Sequence, residues 1–208
     1  MIPAETLLSF FTVALLLGVA PGPDNIFVLT QSALRGRTAG LIVTLGLCTG
    51  LLVHTAAVAL GVAAIFQASS TAFTLLKLSG AAYLMYLAWQ AFRAKASKIA
   101  PGKASALDGW QCYRRGIVMN VTNPKVSIFF LAFLPQFADP RLGALPLQIG
   151  MLGAVFMLAT LLVFGSVALL AGSLGKWLEG SERTQIIMNR VAGTVFIALA
   201  AKLVMTER

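Results

Sequence analysis

Residues 142–175 read LGALPLQIGMLGAVFMLATLLVFGSVALLAGSLG, and none of them is Asp, Glu, Lys or Arg. About 20 apolar residues cross the hydrocarbon core of a bilayer as a helix, so this run is long enough to span it. Residues 38–76, TAGLIVTLGLCTGLLVHTAAVALGVAAIFQASSTAFTLL, form a second run without those four residue types. Working outward, apolar stretches bounded by charges and turn residues fall at 6–31, 40–66, 72–92, 115–137, 146–172 and 185–205. Each is long enough to cross, which predicts an all-α polytopic membrane protein with about six transmembrane helices. Composition points the same way: 58% of the 208 residues are hydrophobic and 11% are charged. Soluble domains carry about 25% charged residues, so a water-soluble enzyme or DNA-binding domain is excluded.

The formal charge of +9 does not indicate nucleic acid, because the basic residues sit between apolar segments rather than on one wet face. They read as topology signals. Arg35 and Arg37 follow the first span; Arg93, Lys95, Lys98, Lys103, Arg114 and Arg115 follow the third; Lys176, Arg183 and Arg190 follow the fifth. The opposite side holds an uncharged connection at Ser69 and Ser70, Arg141 close to Asp139, and a tail with Lys202 and Arg208. By the positive-inside rule both termini face outward. MIPAETLLSF at the N-terminus lacks the basic region of a signal peptide, and the whole chain is read as mature.

Residues 93–113, RAKASKIAPGKASALDGWQCY, are the extended polar stretch, broken at Pro101-Gly102. They divide the chain into a first three-helix repeat (1–92), a basic cytoplasmic linker (93–113) and a second three-helix repeat (114–208). An odd number of spans turns the second half upside down relative to the first, the arrangement of inverted-repeat transporters. Each half opens on a span interrupted by proline and a charge. The first has Pro21-Gly22-Pro23-Asp24-Asn25, the second Asn123-Pro124-Lys125. Asp24 lies 11 residues before Arg35 and Lys125 lies 10 after Arg115. Both therefore sit ~15 Å from the basic side, near the midplane of a ~30 Å core.

A charge at that depth costs about 2.5–3.5 kcal/mol on insertion scales, so Asp24 and Lys125 are expected to face the bundle interior. Pro21, Gly22, Pro23 and Pro124 interrupt the helical ladder and leave backbone groups unpaired, which is tolerated beside protein or a water-filled cavity. Paired breaks in corresponding places mark a transporter's substrate site. Asp24, Asn25, Asn123 and Lys125 are the expected binding residues. The two charges would neutralise each other without substrate, then separate to take the ammonium and carboxylate of a zwitterion. The structural alternatives are that Asp24 caps the following half-helix and that Lys125 snorkels to an interface.

His54 is the one histidine and shares a helix face with Gly46 and Gly50, whose spacing permits close helix approach. It is a candidate for an interhelical hydrogen bond or, with Asp24, for a proton relay. Gly80 is a further packing position. Tyr83, Tyr86 and Trp89 read as packing and interface residues, one face of which could border a substrate path. A lone histidine and two separated cysteines, Cys48 and Cys112, supply no metal, cofactor or catalytic constellation.

Pro21-Gly22-Pro23-Asp24-Asn25, Gly46-x-x-x-Gly50-x-x-x-His54, Leu78-Ser79-Gly80-Ala81-Ala82-Tyr83-Leu84-Met85-Tyr86-Leu87 and Asn123-Pro124-Lys125 together resemble the LysE/RhtB amino-acid exporter family over essentially the whole chain. The resemblance implies a non-enzymatic transporter of the bacterial inner membrane that is multi-pass, homodimeric and has an inverted-repeat fold. It also implies export of amino acids, driven by the electrochemical gradient. Asp24 is the one acidic residue deep in a span, which favours neutral or hydroxy amino acids such as threonine, homoserine or leucine over lysine. Two other classes remain as alternatives. A membrane thiol-electron carrier would need paired cysteines at the breaks, and a metal-ion exporter would need several deep carboxylate, His or Cys ligands.

Overall fold

The computed structural model describes residues 2–68, 70–94, 107–179 and 182–205, and all regular structure within them is helical. Ser69, the linker lysines Lys95, Lys98 and Lys103, and Arg208 lie outside the described residues. The elements are α1 (Ala4–Val19), α2 (Pro23–Arg35), α3 (Arg37–Ala68), α4 (Ser70–Arg93), α5 (Gly109–Thr122), α6 (Pro124–Ile128), α7 (Leu145–Glu179) and α8 (Glu182–Met205). A π-helical turn, Phe129–Phe133, and a 3-10 turn, Leu134–Phe137, carry α6 onward.

The two prolines fall where the sequence predicts breaks. α1 and α2 meet at 63°, α5 and the segment Pro124–Phe137 at 50°. In both cases a proline takes the first position of the second half-helix, where its missing N–H costs no ladder bond. Segments of α3, α7 and α8 are long and apolar enough to cross a membrane, and counting each bent pair as one span brings the number to five among the described residues.

The surface carries many large apolar side chains, and the largely apolar interior encloses a small set of polar and charged ones. Leu8, Leu60, Leu75 and Leu147 are exposed, whereas Asp24, His54, Asn120, Asn123 and Lys125 are buried. Lipid is the solvent such a surface suits. On one side of the breaks Phe10, Phe129, Phe133, Phe137 and Phe156 form an aromatic cluster, with ring centroids of Phe10 and Phe137 5.1 Å apart and of Phe129 and Phe133 5.0 Å apart.

α5 starts earlier than the expected span and shortens the expected linker. Asp108 caps it through a reciprocal box: its carboxylate accepts from the Gln111 N–H at 2.7 Å, and the Gln111 side chain accepts from the Asp108 N–H at 3.1 Å. This end is tied to α2, because Gln31 accepts from the Leu107 N–H at 3.3 Å and Arg35 donates to the Leu107 carbonyl. At the opposite end Gln148 holds the connection before α7, donating to the Asp139 and Gly143 carbonyls at 2.8 and 3.0 Å and accepting from the Asp139 N–H at 3.0 Å.

Candidate functional site

Each break places its functional residues by a different local device. At the first, Gly22 is the cap of α2 in an extended conformation with no side-chain bond, so the alternative reading of Asp24 as the cap does not hold. Asp24 lies in the first turn, where its charge suits the helix dipole, and is 4% exposed. At the second break Asn123 is the cap of α6, its carbonyl oxygen accepting from the Lys125 N–H at 3.0 Å. The same amide donates to Asp24 Oδ2 at 2.9 Å. Asn123 thus joins the two breaks through one side chain.

The Lys125 ammonium does not pair with Asp24. Among the described residues the one ion pair is Arg141 with Asp139, and Lys125 Nζ instead donates to the carbonyls of Leu17 at 3.2 Å and Ala20 at 3.1 Å. These are carbonyls at the end of α1, the negative pole of that half-helix. The break therefore creates the acceptors that hold the lysine, and the direct neutralisation expected from the sequence is replaced by two hydrogen bonds to a helix terminus. Asn25, beside Asp24, donates to the Gly18 carbonyl at 2.9 Å. Three buried oxygens have no hydrogen-bond partner among the described residues: Asp24 Oδ1, Asn25 Oδ1 and Asn120 Oδ1.

A cavity of about 320 Å³ opens where the breaks meet. Pro21, Gly22 and Pro23 line it from the first break, and Asn123, Pro124 and Lys125 from the second. Asp24 and Asn25 are not among its lining residues. α4 contributes Tyr83, Leu87, Gln90 and Ala91, with Ala94 just past its end, and α8 contributes Asn189, Ala192 and Phe196. Gln90 and Asn189 escaped the sequence reading. The spacing 83, 87, 90, 94 is one helical face, a signal that was legible, whereas Asn189 beside Arg190 reads only as the wet end of a span. Tyr86 and Trp89 turn away from the cavity and are exposed.

His54 is buried against the Phe130 ring, centroids 5.5 Å apart, and its Nε2 bonds the Asn120 carbonyl at 3.1 Å. That carbonyl lies four residues before Pro124, which has no N–H to return to it. The carbonyl accepts instead from the Asn123 N–H at 3.1 Å, and the imidazole adds a second donor beside it. Gly46 and Gly50 lie on the face that meets α5. A Cβ on Gly46 would collide with the Tyr113 carbonyl, and one on Gly50 would lie 2.7 Å from Asn120 Cβ and Oδ1. Gly80 packs against Ala132 in the same way. Cys48 and Cys112 are both free, and Cys112 rests against Gln31.

Residues 15–207 match the model of the LysE type translocator family. The chain is 31% identical over 195 residues to a homoserine/homoserine lactone efflux protein of Salmonella typhimurium, covering 94% of each. It is 31% identical over 190 residues to an uncharacterized membrane protein of Vibrio cholerae, covering 91% of this chain and 92% of that one. It is 26% identical over 200 residues to a leucine efflux protein of Salmonella choleraesuis, covering 91% of this chain and 90% of that one. No solved structure matches it. Broken helices at the prolines, an apolar outer surface and a match over nearly the whole chain agree: the chain belongs to the LysE type translocator family, and is a membrane protein of amino-acid efflux.

Proposed function

We propose that the protein exports neutral or hydroxy amino acids, such as threonine, homoserine or leucine, across the bacterial inner membrane, driven by the proton gradient. The observation that carries this reading is the cavity at the meeting of the two helix breaks, with a buried lysine in its wall. The names of two relatives, a homoserine/homoserine lactone efflux protein and a leucine efflux protein, support homoserine and leucine within that range. Lys125 takes the substrate carboxylate. Asp24, behind Asn123, carries the proton, because it is a buried carboxylate whose Oδ1 has no donor. His54 holds the second break rather than relaying protons, since its Nε2 is committed to a backbone carbonyl.

In this reading the chain forms six spans as two inverted three-helix repeats, α1 to α4 and α5 to α8. Corresponding elements pack on each other, α3 on α7 and α4 on α8, which supports a two-fold relation between the halves. Both termini lie on the periplasmic side and the protein works as a homodimer. The cavity extends between the ends of α4 and α8 that bear Arg93 and Arg190, the cytoplasmic side by charge, and the phenylalanine cluster closes the other side. Alternating access then consists of opening that aromatic cluster while α4 and α8 close.

Counterflow in proteoliposomes tests this. Vesicles preloaded with unlabelled threonine, homoserine or leucine are expected to accumulate the labelled counterpart. Lys125→Met is expected to abolish accumulation of all three. Absence of counterflow for every amino acid by folded wild-type protein would overturn the reading.

A further inference from the structure

The cavity carries polar groups at both ends and apolar side chains between them. At 1.5 Å per residue Gln90 lies ~10 Å along α4 from Tyr83, and Asn189 lies ~10 Å along α8 from Phe196. Both amides stand at the end that bears Arg93 and Arg190. Lys125 belongs to the other end, because Ile128, three residues after it, lies against Gly80, three residues before Tyr83. Leu87 and Phe196 occupy the stretch between. Neither amide is tied into the protein: among the described residues no hydrogen bond engages Gln90 or Asn189, and Gln90 is exposed and Asn189 half-buried.

An α-amino acid has a direction in such a cavity. Its carboxylate and ammonium share one carbon, so a carboxylate at Lys125 keeps the ammonium at the same end, where Tyr83 and Pro21 bring acceptor oxygens. The side chain then runs along Leu87 and Phe196, and its tip meets Gln90 and Asn189. A carboxamide both donates and accepts, as a hydroxyl does, and a methyl offers it nothing.

We infer that Gln90 and Asn189 read the tip of the cargo side chain and set a preference for a hydroxyl there over a methyl of the same size. This rests on the reading of the cavity as the substrate site. Norvaline is homoserine with the hydroxyl exchanged for a methyl, so this pair isolates the contact. Both, with leucine, are tested for counterflow and for binding to the purified protein, in wild type and in the double variant Gln90→Leu, Asn189→Leu. Wild type is expected to favour homoserine over norvaline about tenfold in KM, since norvaline leaves the amides without a partner. The double variant is expected to reverse the order, homoserine weakening about tenfold while norvaline and leucine strengthen about threefold. Equal handling of homoserine and norvaline by wild type would overturn the inference however the variant folds. So would a variant of unchanged melting temperature that keeps the wild-type order, or one that loses all three alike, which would assign the amides to the ammonium the three share. Counterflow of none of the three by folded wild type would overturn the substrate-site reading as well.

Discussion

At the residue scale the site depends on two polar side chains that bond backbone carbonyls at the helix breaks. Lys125 bonds the carbonyls at the end of α1, and His54 bonds the Asn120 carbonyl alongside the Asn123 N–H. Replacing His54 therefore separates a clasp from a proton relay. His54→Gln keeps an amide donor near the Asn120 carbonyl and is expected to keep proton-driven transport within about threefold, whereas His54→Leu removes one of that carbonyl's two hydrogen bonds, the Asn123 N–H remaining, and costs about 0.5–1.5 kcal/mol of stability. Thermal unfolding in detergent and transport by the two variants check this. Equal loss of proton coupling in both, with normal folding, would make His54 a relay instead. Of the charged pair, the buried position of both members was expected from their distance to Arg35 and Arg115 along apolar spans. Their partners were not. No sequence spacing places Asn123 between Asp24 and the Lys125 backbone, because that contact joins residues 99 positions apart.

At the scale of elements, α3 packs backbone to backbone on α5, where Gly46 faces Gly116. A Cβ on either would meet the other helix's backbone, which cannot yield as a side-chain tip can. Gly46→Ala is expected to lower stability by about 1–3 kcal/mol. Gly150→Ala, with nothing within 4 Å, is expected to be neutral or to stabilise by up to about 1 kcal/mol. Melting temperatures of the two variants side by side test the packing. The outer connection has its own anchor, and Gln148→Ala, which removes three hydrogen bonds to Asp139 and Gly143, is expected to destabilise by about 1–3 kcal/mol. Hydrogen bonds from the Arg141 side chain and then its backbone hold the Asp139 carboxyl below its usual range. A carboxyl so depressed stabilises above its unfolded value of about 3.9, and the contribution is lost only as pH falls through the lower folded value. Asp139→Asn should therefore leave the pH profile of transport between about pH 5 and 8 unchanged, measured in proteoliposomes. Helix existence was legible from apolar runs, and both breaks from Pro23 and Pro124. The start of α5 was hidden in a polar stretch, although Asp108 and Gln111 spell its capping box.

At the scale of the whole molecule, basic residues gather at one end, where Arg35 reaches Leu107 and α5 begins, while Arg141 lies in the connection that Gln148 anchors at the other. The proposed orientation puts the first end in the cytoplasm. In a variant with Cys48 and Cys112 replaced by serine, a cysteine at Arg141 is expected to react with an impermeant maleimide added outside the cells. A cysteine at Ala94 is expected to react only after permeabilisation, and the reverse pattern would invert the topology. What the sequence could not supply at this scale is the far wall of the cavity. Gln90 and Asn189 join Lys125 only because α4 and α8 pack side by side, a pairing that apolar periodicity does not encode. The account's central claim is that substrate and proton use separate charged groups at the two breaks. Its most direct measurement is labelled-leucine transport in proteoliposomes, with and without an imposed pH gradient, by wild type, Asp24→Asn and Lys125→Met. Wild type should exchange leucine and accumulate it against its gradient. Asp24→Asn should exchange without proton-driven accumulation, and Lys125→Met should do neither. Proton-driven accumulation by Asp24→Asn at the wild-type level, or exchange by Lys125→Met at the wild-type rate, would contradict the account.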